Sequence, residues 1–180
     1  MTFMVTGHRH IVPIYWKGNP WPAKNSVVQQ HHEKVISEIK TLLFSYLDGG
    51  FGDPIFITGM ALGADQLFAD AAIQLKAMGA DIKIIAAIPF KGQELKWPEA
   101  SQNKYNEILE HCEQHIICPG GYSAYKMQAR NKWMVNRSEY ILALWDGRKS
   151  GGTWSCIKYA ESKGKKIIVL RPDTLTNYVK

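Results

Sequence analysis

Short apolar runs alternate with longer amphipathic segments along almost the whole chain. The apolar runs are rich in β-prone residues and predict six strands, over residues 2–6, 55–58, 82–88, 115–118, 140–145 and 166–170. Between them, apolar side chains recur every three or four positions, which is the spacing of a helix with one buried face. This spacing predicts five helices, over residues 26–47, 64–78, 99–112, 124–136 and 153–162.

The alternation of strands and helices predicts the fold class. Two strands joined through a helix normally form a right-handed crossover within a parallel sheet. Residues 82–88 are apolar at nearly every position, as expected of a strand with helices on both of its faces. We therefore expect one α/β domain over residues 1–180, a Rossmann-like three-layer sandwich with a mostly parallel sheet. The Pro-rich segment 10–24 is expected to be a loop, and the tail from residue 172 to be peripheral.

Composition narrows the class of protein further. With 46% hydrophobic and 21% charged residues the chain is too apolar to be disordered. It has neither an apolar run of about 18 residues, which a membrane span needs, nor the features of a signal peptide. Its three cysteines, Cys112, Cys118 and Cys156, form no Cys-x-x-Cys pair, which argues against a disulfide scaffold or a zinc knuckle. A reducing, cytoplasmic location is expected.

The net charge of +6 is distributed unevenly along the chain. Residues 121–180 contain 12 basic and 4 acidic residues, a balance of +8, whereas residues 1–120 contain 10 and 12, a balance of −2. A basic segment attracts phosphate, either in a small ligand or in a nucleic-acid backbone. A solvated surface with no ligand explains the same excess.

Unusual loops follow four of the predicted strands. In open parallel sheets, ligands bind at the carboxyl ends of the strands, near a switch in strand order. The four loops cover residues 6–9, 59–65, 89–93 and 145–153. Two of them carry glycines directly before a helix, where free N–H groups and the helix dipole attract anions. Gly151, Gly152 and Thr153 fit an anion site best, and Gly59 with Gly63 fits second, although glycine turns after strands also occur without a ligand.

Charged side chains near these loops are the candidate ligand contacts. His8, Arg9 and Arg130 suit a phosphate clamp, and Asp65 suits a ribose hydroxyl or a proton-transfer role. Each also has a structural explanation: a capping histidine, solvated arginines, and a carboxylate that stabilises the helix dipole. The aromatic residues that could stack on a base are Trp97, Tyr122 and Trp145, the last of these more typical of a core.

Two classes of catalytic site find no support in the sequence. The six histidines lack the i, i+4 spacing with a carboxylate that zinc enzymes use, so we expect no metal. No Gly-x-Ser-x-Gly motif is present, which argues against a hydrolase triad.

Taken in order, the motifs resemble those of the SLOG superfamily, and most closely its YpsA-like branch. The resemblance covers about residues 2–170. It rests on the segments Thr6-Gly7-His8-Arg9, Gly59-Met-Ala-Leu-Gly63-Ala-Asp65, Ile88-Pro89-Phe90 with Gln93 and Trp97, Arg130-Asn131-x-Trp-Met134-Val135, and Trp145-Asp146-Gly147 with Gly151-Gly152-Thr153.

The resemblance implies a Rossmann-like fold that binds a nucleotide or a nucleotide-derived ligand in the cleft between these loops, with no required cofactor. The superfamily includes the Lonely-Guy phosphoribohydrolases, the DNA-processing protein DprA, and sensor domains thought to bind NAD-derived or cyclic nucleotides. The implied ligand contacts are Gly7, His8, Arg9, Gly59, Gly63, Asp65, Pro89, Gln93, Arg130, Asn131, Asp146, Gly151, Gly152 and Thr153.

The sequence departs from the phosphoribohydrolase signature, which is Pro-Gly-Gly-x-Gly-Thr followed by two glutamates. Gly151-Gly152-Thr153 is present, but Trp154-Ser155-Cys156 replaces the acidic stretch. A Pro-Gly-Gly run at residues 119–121 lies before Arg130, in the wrong order. Asp65 and Asp146 are then the candidate catalytic acids.

Three functions remain open from the sequence. The first is a protein that senses or sequesters a nucleotide such as ADP-ribose, NAD or a cyclic nucleotide. The second is an enzyme that cleaves the N-glycosidic bond of a nucleotide, and the third is a DNA-binding protein of the DprA type. A homo-oligomer is also expected, because relatives commonly dimerise through exposed apolar helices, for which residues 26–47 and 124–136 are candidates.

Overall fold

A computed structural model describes residues 1–11, 25–47, 53–118 and 125–180. The predicted loop 10–24 therefore lies largely outside the described residues, as do the 119–121 run and Tyr122. The elements are β1 (Thr2–Gly7), α1 (Asn25–Leu47), β2 (Ile55–Thr58), α2 (Ala64–Ala77), β3 (Lys83–Ile88), α3 (Glu99–Glu110), β4 (Gln114–Ile117), α4 (Tyr125–Arg137), β5 (Tyr140–Leu144), α5 (Gly151–Ser162), β6 (Lys166–Leu170) and β7 (Asn177–Val179).

The strands form a seven-stranded sheet in the order β4-β3-β2-β1-β5-β6-β7, which confirms the predicted α/β fold class. All neighbouring pairs are parallel except β6 and β7. The chain first builds outward from β1 to β4, and then returns to add β5 on the other side of β1. The carboxyl end of β1 is therefore the switch point, where a crevice opens in sheets of this kind.

Helices cover both faces of the sheet. Alternate residues of β1 point to opposite faces, so Phe3 and Val5 pack in one core cluster and Met4 packs in another. The first cluster is closed by α1 and α2, and the second by α4 and α5. The result is the predicted three-layer arrangement, with α1 and α2 on one face and α4 and α5 on the other.

Several element boundaries differ from the sequence prediction by one or two residues, and one strand was not predicted. Helix α5 begins at Gly151 rather than at residue 153, so both glycines belong to its first turn. The tail adds an unpredicted strand, β7, which pairs antiparallel with β6. Its three residues are all exposed and lie at the sheet edge, so they carry no apolar alternation that would mark a strand.

None of the helices in the described part of the chain is long and apolar enough to cross a membrane.

Candidate functional site

A cavity of about 280 Å³ opens at the carboxyl end of β1, where the strand order switches. Four segments that are distant in sequence supply its walls: the end of β1, the β2–α2 loop, α4 and the start of α5. The residues that line it are Thr6, Gly7, His8, Arg9, Ala61, Leu62, Asp65, Met127, Arg130, Asn131, Gly152 and Thr153. We call it the first cavity.

The start of α5 forms one wall of the first cavity. The N-cap residue Ser150 makes no side-chain capping hydrogen bond, so its hydroxyl does not bind the N–H groups of the first turn. Gly152 lines the cavity, and a Cβ built on it would meet nothing within 4 Å. This wall therefore contains the first turn of α5, at the positive end of the helix dipole, and the buried Thr153.

Arg130 of α4 and Asp65 of α2 form a buried ion pair in the opposite wall. Arg130 Nη1 lies 3.1 Å from Asp65 Oδ2 and also donates to the carbonyl oxygen of Gly59. The two residues are 5% and 6% exposed, so the pair is shielded from solvent. A Cβ at Gly59 would overlap the Arg130 guanidinium, which explains why glycine occupies this position.

The Asp65 carboxylate also organises the β2–α2 loop. Its Oδ2 accepts a hydrogen bond from the Ala61 amide at 3.1 Å, and its backbone carbonyl accepts one from Thr58 Oγ1 at 2.8 Å. Burial raises the pKa of the Asp65 carboxyl, while the Arg130 guanidinium and the Ala61 amide act in the opposite direction. Asp65 is thus a positioned group with its own partners rather than a free carboxylate.

Arg130 keeps one unused donor. Its Nε is buried and has no hydrogen-bond partner among the described residues, and its Nη2 lies 3.9 Å from the sulfur of Met127. A buried guanidinium N–H without an acceptor is costly. Arg130 also lines the first cavity, but its Nε atom is itself buried.

His8 connects the first cavity to a second one. The second cavity has a volume of about 270 Å³ and is lined by His8, Arg9, His10, Asp146, Arg148, Pro172 and Asp173. His8 Nε2 lies 3.0 Å from Asp146 Oδ1, and the same oxygen accepts the Arg148 amide at 3.0 Å. Burial alone would raise the pKa of Asp146, but the Arg148 amide and the His8 and Arg148 side chains together lower it.

The structure brings eight of the predicted contact residues together in the first cavity. They are Gly7, His8, Arg9, Asp65, Arg130, Asn131, Gly152 and Thr153. Asp146 faces the second cavity instead. Gly59 and Gly63 support the walls through their backbones, and Gly151 starts α5 with a φ of 80°.

Pro89 and Gln93 line neither cavity. They follow β3, which is separated from β1 by β2, so their loop lies one strand away from the switch point. Gln93 is buried, and its Nε2 donates to the Met60 carbonyl at 3.0 Å. Gln93 therefore stabilises the β2–α2 loop through this hydrogen bond.

Sequence reasoning missed four residues of the first cavity, Thr6, Ala61, Leu62 and Met127. All four lie within or beside motifs that it identified, but none carries a charge or a special backbone conformation that would single it out. The aromatic candidates Trp97 and Trp145 line neither cavity: Trp97 packs on Tyr105, and Trp145 stacks on Trp154 with a centroid distance of 5.4 Å.

Within residues 1–11, 25–47, 53–118 and 125–180, no group of three or more histidine, cysteine, aspartate or glutamate side chains is arranged to hold a metal ion.

The sheet order and the cavity at its switch point define a Rossmann-like domain. Comparison with known families identifies the family to which this domain belongs. The model for YpsA, described as the YspA SLOG family, matches residues 26–175. The chain belongs to this family, which confirms the resemblance seen in its motifs.

Several bacillar proteins are similar in sequence. The chain is 37% identical over 132 residues to the "uncharacterized SPbeta prophage-derived protein YoqJ" of Bacillus subtilis, covering 66% of this chain and 77% of that one. It is 28% identical over 127 residues to the UPF0398 protein YpsA of Bacillus subtilis, covering 69% of each chain.

Two solved structures of DNA processing protein A share the fold. The Streptococcus pneumoniae protein gives a TM-score of 0.60 at 17% identity, and the Helicobacter pylori protein gives 0.56 at 16% identity. They cover 97% and 95% of this chain. The chain spans about half of the first, 51%, and 65% of the second.

Proposed function

We propose that this protein binds a nucleotide or nucleotide-derived small molecule in the first cavity, with a phosphate against the start of α5. The observation that carries the proposal is that Gly152 and Thr153, in the first turn of α5, line the cavity, and that Ser150 makes no side-chain capping hydrogen bond there. Helix starts of this kind bind phosphate through their N–H groups and their dipole. ADP-ribose, NAD and cyclic nucleotides are the ligand types we propose, for sensing or sequestration.

The cationic side chains of the first cavity support a phosphate ligand. Arg9 is exposed and forms no ion pair with any described residue, so its charge is available. Arg130 contributes less charge than its type suggests because Asp65 already balances it. In our proposal Arg130 therefore supports the wall of the cavity through its contacts with Asp65 and the Gly59 carbonyl.

Cleavage of an N-glycosidic bond is a second candidate function. It is favoured by the raised pKa of the Asp65 carboxyl in the first cavity, which burial shifts in the direction that a general acid needs. The Asp146 carboxyl, whose pKa is lowered, faces the second cavity. Incubation with AMP or NAD, followed by chromatography of the free base, separates the two functions. Base release that disappears in Asp65→Asn supports the enzyme, and binding without release supports the sensor.

Nucleic-acid binding is a third candidate, favoured by the charge of α4 and by one structural relative. The sequence of α4 contains no acidic residue and carries Lys126, Lys132 and Arg137. The Helicobacter pylori relative is described as binding single-stranded DNA. DNA affinity that falls steeply with salt and that AMP does not compete would support this candidate over the first.

We expect Gly152→Ala to weaken AMP binding by roughly 10- to 100-fold, because the new methyl group would stand where the phosphate approaches the helix amides. The unliganded protein has room for that methyl group, so its stability should be unchanged or higher by about 0.5–1 kcal/mol. Isothermal titration calorimetry and chemical denaturation measure the two effects.

Ser162→Ala is the matched control for this prediction, because Ser162 is an exposed residue at the far end of α5. It should bind AMP as the unmodified protein does. If Gly152→Ala keeps full affinity for AMP, the phosphate does not lie at the start of α5.

A further inference from the structure

His8 lies in the wall that the two cavities share. It follows β1 directly, lines both cavities, and is only partly exposed, with a side-chain exposure of 25%. Its Nε2 is fixed 3.0 Å from Asp146 Oδ1, on the loop after β5. Imidazole is the one ordinary side chain that changes its charge between pH 5 and pH 8. A proton on His8 would therefore change the charge of both cavities at once.

Charged groups surround His8 on several elements. Its own loop supplies Arg9 and His10, the β5–α5 loop supplies Asp146 and Arg148, and the loop after β6 supplies Asp173. In the first cavity it shares the walls with the paired side chains of Asp65 and Arg130.

Most of these charges are already balanced. Asp173 is held by two hydrogen bonds from Arg171, at 2.8 and 3.1 Å, and Asp65 is held by Arg130. Asp146 is the carboxylate in direct contact with His8.

We propose that His8 takes up a proton when a phosphorylated ligand enters the first cavity, so that ligand binding depends on pH through this one side chain. The inference rests on the proposed function, since it needs a phosphate in the first cavity. With Nε2 donating to Asp146, a neutral ring has an acceptor at Nδ1, and protonation turns that atom into a donor. An imidazolium between the Asp146 carboxylate and a bound phosphate has an anion on either side.

Asp146 is a positioning residue in this scheme. It fixes the orientation of the ring, as a carboxylate commonly does for a functional histidine. The Arg148 amide bound to the same oxygen in turn keeps the Asp146 carboxylate ionised and in place. The arginines around the site do not titrate in this range, so a proton taken up near pH 7 goes to an imidazole, to the buried Asp65 carboxyl or to the AMP phosphate, which the variants below separate.

The test is calorimetry with AMP as the probe, between pH 7 and pH 8, in two buffers of different ionisation enthalpy. The difference between the buffers gives the number of protons taken up. The unmodified protein should take up as much as about one proton per AMP, and its affinity should rise by as much as about tenfold per pH unit as the pH falls. His8→Gln should lose both effects, and Asp146→Asn should reduce them.

Two further variants serve as controls. His10→Gln removes the other imidazole of the second cavity, and His111→Gln removes an exposed one after α3; both should keep the proton uptake. Subtracting the His8→Gln result also removes any contribution from the AMP phosphate itself, which titrates near pH 6. A readout that needs no variant is the ring C–H resonance of His8, which should titrate at a higher pH with AMP bound than without it.

The outcomes separate this inference from the proposed function. AMP binding with no proton uptake, or with uptake that persists in His8→Gln, overturns the inference and leaves the phosphate site standing. If proton uptake is lost in His10→Gln and not in His8→Gln, the proton goes to His10, and the inference about His8 is overturned. Absence of AMP binding at either pH contradicts the proposed function, and the inference with it.

Discussion

Replacing Arg130 with alanine should lower the free energy of unfolding by about 3–5 kcal/mol, because it leaves the Asp65 carboxylate buried without its partner. Asp65 is 6% exposed and lies 3.1 Å from the guanidinium, and the Gly59 carbonyl loses its donor as well. A domain of this size has about 5–15 kcal/mol of stability in total, so the loss is a large share. Chemical denaturation followed by circular dichroism measures it.

The matched control is Arg137→Ala on the same helix. Arg137 lies over the Trp133 ring at 4.1 Å, and removing this contact should cost about 0.5–1 kcal/mol. The double variant Arg130→Ala with Asp65→Ala should be more stable than the sum of its single changes predicts, since neither charge is left alone. An Arg130→Ala protein that unfolds at the same denaturant concentration as the unmodified one would show that the pair contributes nothing.

Gly63→Ala should have the second large effect, on both stability and ligand binding. Gly63 has a φ of 84°, and an added Cβ would overlap the Arg9 carbonyl oxygen and lie 2.5 Å from that of His8. The next amide, that of Ala64, donates to the His8 carbonyl at 3.1 Å. A side chain at Gly63 must therefore push away the loop that carries His8 and Arg9. We expect a loss of at least about 1–3 kcal/mol from the backbone conformation alone.

Gly79→Ala separates the two parts of this effect. Gly79 has a φ of 94°, but a Cβ there would meet nothing within 4 Å, so this variant carries only the cost of the backbone conformation. Gly63→Ala should be clearly less stable than Gly79→Ala and should lose AMP affinity, which Gly79→Ala should retain. Equal stability of the two variants would mean that the β1 loop moves aside freely and is not held by Gly63.

Much of the fold could be predicted from the sequence because buried elements produce recognisable patterns of apolar residues. Strands covered on both faces, such as β3, read as continuous apolar runs, and helices such as α2 show an apolar stripe. The edge strand β7 produces no such pattern, because all three of its residues are exposed. The start of α5 was misplaced by two residues because glycines are poor helix formers, and only the structure shows them in the first turn.

The candidate site was harder to predict than the fold. Loops at strand ends could be recognised by their glycines and charges, but which of them meet depends on strand order. The loop with Pro89 and Gln93 was expected at the site and lies one strand away from it. The partners of charged side chains were also hidden, because Arg130 and Asp65 are 65 residues apart. In the structure they form one buried ion pair in the wall of the cavity.

Titration of ¹⁵N-labelled protein with AMP, followed through the backbone amide resonances, tests the phosphate site at the start of α5 most directly. The largest shifts should belong to the amides of Gly151, Gly152 and Thr153, and they should saturate together. Shifts confined to the outer faces of α4 and α5, or no shift at the α5 start when AMP is bound, would contradict a phosphate site there.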